Sequence, residues 1–550
     1  MGAGRDVGRS CIIVRMAGRT LMFDCGMHMG YEDHRRFPDF TQVASGVSDY
    51  TAHIDCALIT HFHLDHCGAL PYFSEMCGYS GPILMSAPTR SIAPLMLEDF
   101  RKICVDMKGE QNFFTSDMIK SCLSKVTVMD LHQTIIVKDD IKVTTYYAGH
   151  VLGAVMFHVE CKGFSVVYTG DYNMTGDRHL RAAWIERLKP NVVITESTYA
   201  TKFRELKMKR EKQFLTKVVD TVEKGGKVLI PVFALGRAQE LCILLDTYWE
   251  SAKLTVPINF AGGLTERANH FYKTFTNWCN ENVQRIFLKR NMFDFQHISP
   301  FDRIQTRSEE PMVLFATPGM LHGGLSLSVF KEWCDDAKNL VILPGYCVPG
   351  TIGHALLRRS DRVMIEGKEY RVKCDVQAMS FSAHTDHRGI MQLLEWLQPA
   401  NVVLVHGEEE RMRGLMGEVD RVMGLPCFMP ANHERLVIPC PVSIPTEMPY
   451  PLLVENRAEF HRQFAEELFN PVSSPFFTAH MSDCALESCQ PLSLSCDLDL
   501  SSVQVRSLLQ HLPVQVTELA GNKTRLTWSE EQDEEVVKVL AAVPEPPVLP

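Results

Sequence analysis

The stretch His61-Phe62-His63-Leu64-Asp65-His66 governs the interpretation of the chain, because it places three imidazoles and a carboxylate within six residues. It follows the apolar run Ala57 to Ile59, so it is predicted to lie on a loop leaving a buried strand. Alternation points His61 and His63 the same way, while the acidic residue and the last histidine turn toward a second position. The pattern predicts two neighbouring metal ions, and a solvated histidine-rich turn is the alternative.

The same design recurs along the chain, where short apolar runs end in Asp, Glu or His. The runs are Leu21–Asp24, Ala57–His61, Thr144–His150, Val166–Asp171, Val192–Glu196 and Val402–His406. Ligands gather where the strands of layered α/β folds end, so these runs predict one convergent site. His150, Asp171 and His406 are therefore candidate ligands, although each alone is more often structural. Mixed imidazole and carboxylate ligands favour zinc, with manganese or iron as alternatives.

Composition limits the class of protein. The 550 residues are 45% hydrophobic and 22% charged, which predicts two or three domains with large cores. No apolar stretch reaches the roughly 18 residues of a membrane span, and the N-terminus lacks the apolar core of a signal peptide, so we expect a soluble intracellular protein without a membrane partner. The 18 scattered cysteines form no Cys-x-x-Cys pair and are expected to be reduced. A net charge of −10 excludes a generally basic nucleic-acid coat.

The long interval between the runs ending at Glu196 and His406 predicts an inserted domain. A charged helix near Phe203–Val222, a strand at Val228–Val232 and a helix from Arg237 indicate its α/β alternation. The predicted divisions are 1–200 and 371–440 for one domain in two parts, 201–370 for the inserted domain, 441–491 for a Pro-rich linker and 492–550 for a small C-terminal α/β domain. Its predicted elements are strands at Val514–Leu519 and Thr524–Trp528 and an acidic helix near Trp528–Ala542.

The motif order over about the first 440 residues resembles the metallo-β-lactamase family. His61–His66 is followed by Gly149-His150, Gly170-Asp171 and a late histidine, and Asp24 lies in the family's first motif. Further motifs resemble its nucleic-acid-processing β-CASP branch: Thr195-Glu-Ser-Thr-Tyr199, Phe381-Ser-Ala-His-Thr-Asp386 and Val405-His-Gly-Glu408. The resemblance implies a metallo-β-lactamase αββα sandwich with an inserted β-CASP α/β domain. It also implies a strand before Gly2, and the chain begins at that turn.

Other motifs are similar to the RNA 3′-end processing endonucleases of this branch, namely Pro231–Glu240 and Pro344–Gly350. The motifs Met27–Gly30, Arg35–Asp39, Asp171–Met174 and Arg290–Phe293 resemble Integrator-type endonucleases more than the alternative, the cleavage and polyadenylation endonucleases. The resemblance implies cleavage of single-stranded nascent RNA, in snRNA 3′-end processing and transcription attenuation or termination. It further implies a nuclear assembly of Integrator type, with the cytoplasm as an additional location, and a heterodimer with a catalytically inactive homologue through residues 492–550.

The resemblance also assigns roles to the candidate residues. One zinc ion takes His61, His63, His150 and Asp171, and the second takes Asp65, His66, Asp171 and His406. His384 is the implied proton donor to the leaving ribose oxygen, and Glu196 orients it. Asp24 is expected to accept a hydrogen bond from a ligand imidazole. For Asp24 and Glu196, simple loop capping is the alternative.

Substrate contacts are less specific in the sequence. Lys202 and Arg204 begin a basic helix that can touch RNA, although a solvated helix face is the alternative. Gly236-Arg237 opens a helix whose amides can bind phosphate, or it is an ordinary turn. Competing hypotheses are a non-catalytic scaffold, which intact ligands oppose, and a 5′ exonuclease or DNA-repair nuclease of the same branch.

Overall fold

A computed structural model describes residues 1–107, 109, 113–233, 235–261, 270–287, 291–302, 306–345, 347 and 350–440, together with five later strands. The chain separates into two compact units, Met1–Ile438 and Pro439–Pro550. In the described residues, no helix combines the length and apolar character that crossing a membrane requires.

Two sheets, each with both parallel and antiparallel strand pairs, form one domain of the larger unit. The first sheet has the order β1-β2-β3-β4-β5, formed by Ile12–Met16, Arg19–Phe23, Cys56–Leu58, Ile83–Ser86 and Val126–Met129. The second contains, in spatial order, β20 (Cys427–Phe428), β19 (Asn401–Val405), β10 (Val192–Glu196), β9 (Phe164–Tyr168), β8 (Val155–Cys161), β7 (Ile141–Tyr147) and β6 (Thr134–Val137). One apolar cluster takes side chains from both sheets, which makes them the inner layers of a sandwich.

Helices complete the layers. The α-helices are Leu64–Cys67, Ala87–Arg101, Ser116–Ser124, Lys207–Glu223, Arg237–Ala252, Glu281–Phe287, Gly324–Trp333, Ile352–Leu357, His387–Leu397 and Glu409–Met423. Apolar residues of Ala87–Arg101, His387–Leu397 and Glu409–Met423 join the cluster shared by the two sheets. The layered α/β fold expected from the sequence is confirmed.

A third, all-parallel sheet forms the inserted domain. Its order is β13-β12-β14-β11-β15-β18, formed by Ile298–Phe301, Ile258–Ala261, Val313–Ala316, Val228–Pro231, Leu340–Leu343 and Asp375–Ala378. Arg362–Ile365 and Lys368–Arg371 make a separate hairpin, β16 and β17. The edge strand Asp375–Ala378 extends this sheet past residue 370, the boundary predicted from sequence. It has no run of buried apolar residues, so periodicity gives no sign of it.

The smaller unit contains an antiparallel sheet. Its strands are, in spatial order, β21 (Ser443–Pro449), β22 (Phe476–Ser482), β23 (Ser493–Leu498), β25 (Lys523–Ser529) and β24 (Gln515–Leu519). The first two lie within 441–491, where the sequence predicts only a linker. Proline suggests a break there, yet Ser443–Pro449 is an edge strand, where a residue without an N–H is tolerated. The sequence predicts a helix from Trp528, but Trp528 and Ser529 belong to the last strand. The rest of the predicted helix, beyond Ser529, lies outside the described residues.

Candidate metal centre

Strand direction brings the predicted ligands to one place. Val192–Glu196 runs parallel to Asn401–Val405 and to Phe164–Tyr168, so the residues that follow all three strands emerge at one edge of the second sheet. Asp171 follows one of these strands, and Gly170 allows the turn before it. Gly170 has φ +51°, and a Cβ there would meet the Thr60 side chain at 2.6 Å. The close approach requires glycine.

The first group of candidate ligands consists of three histidines and one aspartate. The ligand atoms of His61, His63, His150 and Asp171 lie within 4.8 Å of one another. His63 Nδ1 lies 3.1 Å from His61 Nε2 and 3.1 Å from His150 Nε2. Nitrogens bound to one tetrahedral zinc at its usual bond length lie about 3.3 Å apart, so this spacing suits a single ion.

A second group lies beside the first. Asp65, His66 and His406 also have ligand atoms within 4.8 Å of one another. His406 Nε2 is 3.4 Å from Asp65 Oδ2, and His66 Nε2 is 3.8 Å from the same oxygen. The structure therefore brings together all seven residues that the sequence singles out as metal ligands, in two adjoining groups.

Asp171 lies between the two groups. Its Oδ2 is 3.9 Å from His61 Nε2 and 3.2 Å from His66 Nε2, while its Oδ1 is 3.5 Å from His406 Nδ1. Oδ1 is buried without a hydrogen-bond partner among the described residues. A buried oxygen of this kind is costly unless a cation or another donor meets it. The donor set and this orphaned oxygen fit metal ions on both sides of Asp171.

Burial sets the protonation of the first group. It holds the pKa of His61 and of His150 well below the ordinary value and lowers the pKa of His63 to about 4. These rings are therefore neutral near pH 7, and their lone pairs are free for a cation. Burial opposes charge on His66 and His406 as well, but the adjacent Asp171 raises the pKa of both. Together the rings and carboxylates form a buried cluster of the donor atoms that a metal cation binds.

Asp24 holds the His66 ring of the second group in place. Its carboxylate accepts hydrogen bonds from His66 Nδ1 at 2.7 Å, the Thr60 amide at 2.8 Å and the Tyr168 hydroxyl at 2.8 Å. Asp24 is fully buried and has φ +57°, a left-handed conformation that Asp and Asn tolerate. A proton held on His66 Nδ1 leaves Nε2 as the free ligand atom.

His384 and Glu196 form a separate pair next to Asp171. His384 Nδ1 lies 2.8 Å from Glu196 Oε2 and 3.7 Å from Asp171 Oδ2. The His384 side chain is 15% exposed, whereas that of Glu196 is 1% exposed. A ring that is fixed through one nitrogen and open on the other side can exchange a proton with a bound molecule.

Thr198 was missed by sequence reasoning. Its hydroxyl donates to Glu196 Oε2 at 2.7 Å and lies 2.9 Å from His406 Nδ1. It therefore connects the His384–Glu196 pair to a candidate metal ligand. The available signal is its position two residues after Glu196, in the turn that follows the strand Val192–Glu196.

The basic residues proposed for RNA contact separate in the structure. Arg204 and Arg237 line one small cavity, together with Arg210, which the sequence analysis did not select. Lys202 is exposed, and its ammonium lies 5.7 Å from the centre of the Tyr199 ring. Arg204 and Arg237 thus lie at one cavity, and Lys202 lies at the surface beside the Tyr199 ring, whose centre is also 5.4 Å from the Arg204 guanidinium.

Family models match three successive parts of the chain. Residues 13–199 match a metallo-beta-lactamase superfamily domain, residues 238–356 match the Beta-Casp domain, and residues 369–430 match a Zn-dependent metallo-hydrolase RNA specificity domain. The fold, the paired ligand groups and these matches define the chain as a metallo-hydrolase of the metallo-β-lactamase and Beta-Casp class.

Relatives narrow the class further. The chain is 56% identical to Integrator complex subunit 11 of Gallus gallus, over 83% of this chain and 76% of that protein. It is 51% identical to cleavage and polyadenylation specificity factor subunit 3-II of Arabidopsis thaliana, over 79% and 71%. It is 39% identical to cleavage and polyadenylation specificity factor 73 of Drosophila melanogaster, over 76% and 60%. The chain belongs to the Integrator complex subunit 11 family.

Proposed function

We propose that this chain is a zinc-dependent RNA endonuclease and the catalytic subunit of an Integrator-type complex. The observation that supports it most strongly is the ligand set, in which all seven predicted residues are present and adjoin the His384–Glu196 pair. A scaffold that had lost catalysis has no reason to retain them. Family membership supports RNA as the substrate, and single-stranded nascent RNA is the form we propose.

The proposed mechanism assigns each group of side chains a task. His61, His63, His150 and Asp171 would hold one zinc ion, and Asp65, His66, Asp171 and His406 would hold the second. Two bound zinc ions would supply an activated water near neutral pH and offset negative charge on the phosphate in the transition state. His384 would protonate the leaving ribose oxygen, and Glu196 orients the donating ring through the contact with its Nδ1.

Cleavage and polyadenylation is the second candidate process, because the chain is also 51% identical to a relative with that name. Both processes use the same phosphodiester chemistry, so the active site does not separate them. The higher identity to Integrator complex subunit 11 is the reason for our choice. A 5′ exonuclease would differ from the proposal in needing a free end of the strand, and a DNA nuclease would differ in its substrate.

A circular substrate separates an RNA endonuclease from a 5′ exonuclease and from a DNA nuclease. We expect the zinc-loaded chain, alone or with its partner subunit, to linearise a circular single-stranded RNA and to leave a circular single-stranded DNA intact. The matched control is Asp171→Ala, which should cut neither circle. Cleavage of linear but not circular RNA would identify an exonuclease, and preference for the DNA circle would exclude RNA as the substrate.

The C-terminal residues 492–550 are proposed to bind a catalytically inactive homologue in a nuclear assembly. The described strands there form a sheet within the smaller unit, and the candidate metal ligands all lie in the larger unit. A module without candidate metal ligands among its described residues is suited to docking. Deleting 492–550 should abolish co-purification with the homologue while residues 1–440 still bind zinc. Full retention of the partner by the truncated chain would contradict the proposal.

A further inference from the structure

A small cavity near the candidate metal centre is surrounded by arginine side chains. Arg204, Arg210 and Arg237 line it, together with Asn173 and Ser382 and the charged residues Lys207, Asp177, Glu211 and Glu240. Its volume is about 10 Å³, which admits one water-sized group. The cavity is therefore too small for a ligand to enter whole, but it can receive a single oxygen atom of a ligand that remains outside.

The guanidinium groups at this cavity have unused hydrogen-bond donors. Arg204 Nε and Nη2, Arg210 Nε and Arg237 Nε are buried and have no partner in the described part of the chain. A buried N–H without an acceptor costs about 1 to 3 kcal/mol, and more when the group is charged. Four such donors on residues that line one cavity favour a hydrogen-bond acceptor there.

The local charges favour an anion as that acceptor. The three carboxylates of the lining each have a basic partner, since Asp177 pairs with Arg237, Glu211 with Arg178 and Glu240 with Lys207. Neither Arg204 nor Arg210 makes an ion pair with a carboxylate of the described residues. Arg210 Nη1 donates instead to the Ser380 carbonyl, and its guanidinium lies 5.7 Å from the centre of the Phe381 ring. Burial, with the neighbouring guanidinium groups adding to it, lowers the pKa of Arg204 and Arg210. A neutral water molecule cannot offset this excess of positive charge.

The position of the cavity connects it to the proposed reaction. Asn173 is two residues from Asp171, and Ser382 is two residues from His384. Two residues span at most about 7 Å, so both walls of the cavity begin beside the candidate metal centre. A phosphate that neighbours the cleaved one along an RNA strand can therefore reach this point.

We propose that the cavity formed by Arg204, Arg210 and Arg237 binds a non-bridging oxygen of one RNA backbone phosphate, next to the phosphate that is cleaved. This inference rests on the proposed function. The site reads no base, because its donors meet only the phosphate. It fixes the register of the strand, which places the adjacent linkage at the metal centre.

The test is equilibrium binding of a labelled single-stranded oligouridylate to the zinc-loaded full chain, in a His384→Ala background that limits cleavage. Arg204→Gln, Arg210→Gln and the double variant are compared with Lys212→Gln, an exposed position on the helix that carries Arg210. Each single arginine variant should weaken binding. The double variant leaves only Arg237, which is paired with Asp177, and should reduce the slope of log K against log salt by about 0.7, the value for one lost phosphate contact on a single strand.

A neutral methylphosphonate, placed at each linkage in turn, locates the contact. One linkage should weaken binding in the His384→Ala background and have no further effect in the double variant. An unchanged slope, or a loss equal to that of Lys212→Gln, would overturn the site. Should the arginine variants fail to fold, as judged by thermal unfolding, the scan in the background chain decides alone, and equal sensitivity at all linkages overturns the site. Absence of any RNA binding in the background chain would instead refute the proposed function.

Discussion

Replacing Asp24 by Asn tests how the fold prepares the second metal position. The substitution preserves the volume of the side chain, and asparagine, like aspartate, tolerates the φ of +57° at this position. The amide oxygen can still accept from the Thr60 amide, but the amide nitrogen replaces an oxygen that accepts from His66 and Tyr168. We expect the His66 proton to move from Nδ1 to Nε2, the atom that lies 3.2 Å from Asp171.

The magnitude follows from the bond that is lost. His66 Nδ1 lies 2.7 Å from the buried Asp24 carboxylate, a short charge-assisted hydrogen bond. Such bonds contribute about 1.5 to 3 kcal/mol, and about 1.4 kcal/mol corresponds to a factor of ten in affinity. Asp24→Asn should therefore weaken zinc binding at one of the two positions by about 10 to 100-fold, the usual range for partners of metal-binding histidines.

The assay is zinc competition against a chromogenic chelator at fixed pH. Asp246→Asn is the matched control, because Asp246 is also a buried carboxylate and accepts from the amides of Gln296 and His297 at 2.9 and 2.8 Å. That control lies outside the metal centre and should leave both zinc affinities unchanged. Equal zinc affinities for Asp24→Asn and the unaltered chain would refute the proposed role of Asp24.

Three further substitutions separate the roles of neighbouring groups. His384→Ala should slow RNA cleavage by about 10² to 10⁴-fold at unchanged zinc content, measured by elemental analysis, whereas loss of zinc would contradict its role as proton donor. Thr198→Val should weaken zinc binding and shift the pH profile of cleavage, with Thr198→Ser restoring both, and an unchanged profile would exclude a positioning role. Despite burial, a hydrogen bond from His179 lowers the pKa of Glu240 to about 2, so its stabilising contribution is present above about pH 4.5 and is lost as the pH falls through about 2. Glu240→Gln should lower the free energy of unfolding near pH 7 by about 3 kcal/mol in chemical denaturation, and no change there would contradict this contribution.

The candidate metal ligands could be predicted because their signal is local. Three histidines and an aspartate occupy one six-residue stretch, and the remaining ligands follow apolar strands. Parallel strands carry such residues to one sheet edge, so sequence order is enough to predict convergence. Thr198 and Arg210 depend instead on contacts across about 200 and 170 residues of chain, and neither residue type is distinctive alone.

The fold shows the same division between local and long-range signals. The buried strands Val228–Pro231 and Asn401–Val405 were predicted nearly to the residue, because both are continuous apolar runs. The sequence does not predict Asp375–Ala378 or Ser443–Pro449. Each is an edge strand, and its extended conformation is stabilised by pairing with the neighbouring strand of its sheet. A short half-exposed segment and a segment with prolines carry no periodic pattern that would distinguish them from loops.

Counting the bound zinc tests most directly our proposal that two zinc ions bind on either side of Asp171. We predict about two zinc ions per chain by elemental mass spectrometry of the purified, unaltered protein, and fewer than one for Asp171→Ala, because that carboxylate adjoins both ligand groups. An unaltered chain with no more than one tightly held zinc, or an Asp171→Ala variant that keeps both, would contradict the account.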